Sequence, residues 1–112
     1  PKLSLRDLAP VRGKLPAAAQ PLRQEYELFY AGTPDLRRYS HHARLTIWQS
    51  RDTFEGRKPR LGALKDWQLV RHAPTGGQDS YLFRATHEHG EVYIRYSLDR
   101  DGRIERVVWW HL

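Results

Sequence analysis

The sequence predicts an α+β fold in which N-terminal helices pack on one face of a curled, four-stranded antiparallel meander. Three observations carry that expectation. From residue 64 to residue 112 apolar and polar residues alternate with the period of strands. Glycine-containing turns interrupt the alternation at His89-Gly90 and at Asp101-Gly102. Upstream, residues 17–31 shift to alanine, glutamine, leucine and glutamate, with apolar side chains near helical spacing.

Residues 1–16 contain Pro10, Gly13 and Pro16 and hold no period, so they read as an extended arm or linker to a single α+β domain spanning 17–112. Leu3, Leu5 and Leu8 let that arm lie along the body. A helix over 17–31 would lay Leu22, Tyr26 and Phe29 across the sheet, with Pro21 in its first turn, where a missing N–H is harmless. Gly32 is placed to end it in the left-handed conformation. Thr33-Pro34-Asp35 reads as a restart, Thr33 as N-cap and Pro34 at the first helical position, leading into a short helix over 36–42. Residues 43–54 suit a helix or a strand through Leu45, Ile47 and Trp48, and are taken as helix. Residues 56–59 break it, and Arg51, Arg57, Lys58, Arg60 and Lys65 make this the most basic region.

The sheet begins with a strand over about 64–72, followed by a turn-rich linker over 73–78 containing Pro74 and Gly76-Gly77. A two-residue loop of His89-Gly90 would set Ala85 opposite Ile94, Phe83 opposite Tyr96 and Tyr81 opposite Leu98, and would ask His89 to accept positive φ. A three-residue loop of Arg100, Asp101 and Gly102 would set Leu98 opposite Ile104, Ile94 opposite Val108 and Val92 opposite Trp110. The inner face would then carry Tyr81, Phe83, Ala85 and His87, then Val92, Ile94, Tyr96 and Leu98, then Ile104, Arg106, Val108 and Trp110. Leu82, Arg84, Tyr93, Arg95, Val107 and Trp109 would face outward. A slip of one residue would turn a strand inside out, so the pattern selects the register.

A chain of 112 residues is long enough to bury one substantial core. It contains no cysteine, which excludes a disulfide framework and thiolate chemistry. No apolar run approaches the roughly 18 residues of a membrane span, so none is expected. The net charge of +6 favours anionic partners, but no recognition motif accompanies it. Nucleic acid is therefore not the expected partner, and such binding would be weak and steeply salt-dependent.

Two sets of candidate residues follow from the face assignment. Arg106 falls on the inner face across from Tyr96 and near His87. A buried guanidinium needs a carboxylate, a ring face or a ligand anion, so His87, Tyr96 and Arg106 would line a small-ligand pocket between helix and sheet, unless Arg106 snorkels at the rim. On the outer face, Arg84, Tyr93, Arg95 and Trp109 gather, with Arg84 opposite Arg95. Arginine and aromatic side chains favour interfaces, which points to a protein partner or a homodimer. His87, Glu88 and His89 diverge, as do His41 and His42, so no metal site is expected. The chain has no nucleophile elbow and no phosphate loop, and no cofactor is expected. For an enzyme, the inner face offers His87 as a base but no Asp or Glu, and a carboxylate base would have to come from Glu25, Glu27 or Asp52 on the helices.

Two local motifs carry a resemblance. Leu61-Gly62-Ala63-Leu64-Lys65 leading into Trp67-Gln68-Leu69-Val70, and Tyr93-Ile94-Arg95-Tyr96-Ser97-Leu98-Asp99-Arg100-Asp101-Gly102-Arg103-Ile104, resemble the lead-in to the first strand and the final hairpin of small nuclear-transport-factor-two-like, or cystatin-like, domains. The likeness covers roughly residues 17–112. Such domains occur alone in secreted proteins or appended to β-lactamase-like serine hydrolases, which implies a non-catalytic accessory role and leans toward a secreted or periplasmic setting. The residues themselves fix no compartment. The expectation is thus a non-catalytic accessory or partner-binding domain that self-associates through its outer sheet face. A pocket protein or enzyme of the same fold is the alternative, and charge-driven nucleic-acid binding the third.

Overall fold

A computed structural model describes residues 5–55, 58–75 and 78–111. Leu3, Gly56, Arg57, Gly76, Gly77 and Leu112 lie outside the described residues, as do the side chains of Arg51, Asp52 and Lys58. The architecture is α+β, with two helices packed against an open four-stranded antiparallel sheet.

Helix α1 runs Leu22–Tyr30 and follows a 3-10 turn at Ala17–Ala19. Pro21 serves as its N-cap, so the helix starts later than its composition suggests. The C-terminus closes as expected. Gly32 adopts φ 83°, and the N–H groups of Gly32 and Thr33 reach back to the carbonyls of Phe29 and Leu28 at 3.0 and 2.9 Å. The helix buries Leu22, Glu25, Tyr26, Phe29 and Tyr30 against the sheet.

The restart differs from expectation. Asp35, not Thr33, is the cap, accepting the Arg37 N–H at 3.1 Å, and the 3-10 turn it starts spans only Leu36–Arg38. Tyr39 is extended and bridges Ile104 in parallel, and the Ser40 N–H donates to the Ile104 carbonyl at 2.8 Å. That break swings Tyr39 into the core. Ser40 then caps helix α2, His41–Glu55, its Oγ accepting the Ala43 N–H at 3.1 Å. Residues 43–54 are therefore helical, with Ala43 and Ile47 on the buried side. A four-residue helix α3, Lys58–Leu61, leads into the sheet.

Strands β1 (Leu64–Thr75), β2 (Gln78–His87), β3 (Gly90–Leu98) and β4 (Ile104–His111) form a simple meander in chain order. β1 is longer than its sequence suggests, taking up part of the expected linker, and carries two bulges against β2. Pro74 is tolerated there because β1 is an edge strand.

Two registers depart from expectation with different consequences. Between β2 and β3 the turn is Glu88-His89, with Phe83 opposite Ile94 and Tyr81 opposite Tyr96. The turn is held by its neighbours, Glu88 N–H donating to Ala63 and His89 N–H to Leu61 at 3.0 and 2.9 Å, and no described non-glycine residue takes positive φ. A displacement of two residues keeps every side chain on its expected face. Between β3 and β4, Leu98 pairs with Ile104 as expected, but Ser97 pairs with Arg106. Glu105 is an extra residue, a bulge, and beyond it each side chain changes face. Val107 and Trp109 point inward and pack on the core, while Arg106, Val108 and Trp110 point outward. Val108 thus stands opposite Arg95 and not Ile94. The physical gain is that the Arg106 guanidinium stays out of the helix-covered face.

The sheet has a second apolar compartment on its outer face, where Val70, Leu82 and Tyr93 pack with Leu5 and Leu8 of the N-terminal arm. The arm also joins the β1 edge, Val11 N–H donating to the Leu69 carbonyl at 2.7 Å.

Candidate functional site

On the helix-covered face, polar groups collect where α1 packs on the sheet. His87 lies between Tyr26 and the chain turn before β1, its Nδ1 3.0 Å from the Gly62 carbonyl and its Nε2 2.6 Å from the Tyr26 hydroxyl. A carbonyl can only accept, so Nδ1 carries the proton and Nε2 accepts from Tyr26. Burial lowers the His87 pKa, against the opposing effect of the Gly62 bond, so the imidazole is neutral in the fold. Tyr30 donates to the same carbonyl at 2.7 Å.

Next to this relay, Glu25 is fully buried. Its Oε1 accepts the Asp35 N–H at 3.1 Å, and the Tyr39 hydroxyl faces the same carboxyl. Burial raises its pKa to about 7, partly offset by hydrogen bonds from Tyr39 and from the Asp35 backbone. Burial likewise raises the Tyr26, Tyr39 and Tyr96 hydroxyls above the ordinary phenol value. Among the described residues, Glu25 Oε2 and the Tyr96 hydroxyl have no hydrogen-bond partner. These groups are sealed by packing: Tyr26 lies tilted against Trp67 with ring centroids 5.0 Å apart, and Trp67 stacks on Phe83 at 4.4 Å. The arrangement can bolt α1 to the sheet, but it presents no reactive atom to solvent.

Of the expected pocket set, His87 and Tyr96 are in this interior and Arg106 is not. Arg106 is exposed on the opposite face, carried there by the Glu105 bulge. Of the possible bases, Glu25 is in the interior, Glu27 is at the surface with Arg23 at 3.4 Å, and the Asp52 side chain lies outside the described residues. Glu25 has a signal in the sequence that strand phasing does not use: it precedes Tyr26 and follows Leu22 by three, on the buried side of α1.

The outer face divides in two. One half is closed by the arm. Arg84 stands opposite Tyr93, not Arg95, so the expected like-charge pair does not form. Its guanidinium donates to the Leu8 carbonyl at 2.6 Å, the Arg6 carbonyl at 3.3 Å and the Leu5 carbonyl at 3.4 Å. It also donates to Gln68 Oε1 at 3.2 Å and the Tyr93 hydroxyl at 2.9 Å. The Tyr93 hydroxyl in turn donates to Glu91 at 3.0 Å. Arg84 and Tyr93 are therefore a clamp on the arm and not an open contact surface.

Among the described residues, nothing covers the other half. Trp110 is 37% exposed, with the Arg95 guanidinium 5.7 Å from its ring centroid. Beside them a cavity of about 310 Å3 is lined by Leu5, Arg71, Ala73, Ser80, Leu82, Arg95 and Trp110. Trp109, expected on this surface, instead faces inward, 5.8 Å from Phe29. Among the described residues, no group of three His, Cys, Asp or Glu side chains could hold a metal, and no helix is long and apolar enough to cross a membrane. Compared with protein-family models, with curated proteins and with solved structures, the chain matches none.

Proposed function

We propose that the chain is a non-catalytic partner-binding domain of the cystatin-like kind, and that its contact surface is the uncovered half of the outer sheet face. The observation that carries this reading is the exposed Trp110 with Arg95 over its ring, beside an apolar recess. Trp and Arg are the side chains most enriched among the few residues that dominate an interface. The contact set is accordingly Arg95, Arg106, Val108 and Trp110, with Arg84 and Tyr93 holding the arm behind it. A domain at work through its interior would leave a route to Glu25 or His87, and both are packed shut.

The test is retention of partners on the immobilised chain, wild type against an Arg95→Glu, Trp110→Ala double variant whose fold is checked by circular dichroism. The reading expects a defined set of retained proteins that the double variant loses. Equal retention by both would overturn it.

A further inference from the structure

β4 is an edge strand. Its first residue is occupied on the free side by Tyr39 and Ser40, and among the described residues no strand pairs with that side from Arg106 onward. Beside it runs a groove of about 280 Å3, lined by His42, Ala43, Thr46 and Ile47 of α2 and by residues 105–109 of β4. An unpaired strand presents backbone donors and acceptors at a spacing that only another extended chain matches.

We infer that the occupant is a second copy of this chain, its β4 pairing antiparallel with the first about a twofold axis at Val108. Charge rules out one register, and a cation–ring contact favours another. An axis at Arg106 would set two guanidiniums face to face, which is unfavourable. An axis at Val108 sets each Arg106 directly opposite the partner's Trp110 on the outer face, a cation over an aromatic ring, and the twofold makes the contact twice. Tyr93, Trp110, Arg106 and Ser97 then form one continuous cross-strand row, since Tyr93 pairs with Trp110 and Ser97 with Arg106 within each copy. The two meanders become one eight-stranded sheet, and the Glu105 bulge is what turns Arg106 and Trp110 outward together. This inference rests on the partner-binding reading and specifies the partner.

The chain has no cysteine, so single introduced cysteines report the register directly. Val108→Cys should form a disulfide-linked dimer rapidly under mild oxidation, whereas Arg100→Cys, at the hairpin tip, should not. Sedimentation equilibrium should show a dimer for wild type, shifted at least tenfold toward monomer by Arg106→Glu. A wild-type monomer at every concentration would overturn the inference, as would cross-linking of the Arg100→Cys variant equal to that of Val108→Cys, or a dimer that Arg106→Glu leaves intact. A monomer that still retains other proteins in a Trp110-dependent way overturns the self-pairing and leaves the broader reading standing.

Discussion

At the residue scale, adjacent tryptophans on β4 have opposite fates. Trp109 packs inward against Phe29, so Trp109→Ala should cost about 3 kcal/mol. Trp110→Ala should cost about 1 kcal/mol or less. Denaturant titration of both variants checks the order, and a reversed order would mean that the bulge is misplaced. Glu25 sets a pH dependence. Its folded pKa of about 7 lies above the ordinary 4.5, so the fold holds this proton more tightly than the unfolded chain does. The stability it contributes is present below pH 4.5 and is lost as pH rises through about 7, with a slope approaching about 1.4 kcal/mol per unit between. His87 acts in the opposite sense, its depressed pKa contributing stability above its ordinary value of 6.5 that is lost as pH falls. The difference between wild type and Glu25→Gln isolates the carboxyl: the variant should lose the decline toward neutral pH. Neither group's role is legible in strand periodicity, because that pattern sorts side chains by face and says nothing of what α1 lays over them.

At the level of elements, the strand alternation is legible because it has a period of two. A displacement of two residues at the Glu88-His89 turn cancels, while a displacement of one at Glu105 inverts a whole strand. A bulge is a single-residue event with no composition signal of its own, so the hairpin loop can be read from the sequence and the insertion just beyond Ile104 cannot. Deleting Glu105 should force Arg106 and Val108 inward and expel Trp109, abolishing a cooperative thermal transition. A variant that melts like wild type would count against the bulge. The Gly32 stop is legible because only glycine takes that conformation readily. Thr33 has the chemistry of a cap, but Asp35, two residues on, has it too and sits directly before the turn that forms. The arm was expected to lie along the body, but nothing in its own sequence names Arg84 as its anchor. Arg84→Ala should cost about 1–3 kcal/mol and make the arm an early site of proteolysis.

For the whole molecule, the Cα radius of gyration is 13.6 Å, with extents of 35 × 33 × 27 Å. Pairing through β4 would lengthen one axis and leave the others nearly unchanged, which small-angle scattering would read. Salt separates this from charge-driven nucleic-acid binding. Two chains of +6 repel, so added salt should hold or strengthen the dimer, whereas it would weaken phosphate contacts steeply. The arm has a consequence of its own. Its first part, up to Val11, is a thin third layer on the far side of the sheet from α1, held by the Arg84 guanidinium, by Leu5 and Leu8 and by the Val11–Leu69 hydrogen bond. Only Leu15 farther on packs against the helix-sheet core, so release of that first part leaves the interior intact. The native ensemble should therefore include an opened form, seen in hydrogen–deuterium exchange as early uptake at Val11 while the amides of β2 and β3 stay protected.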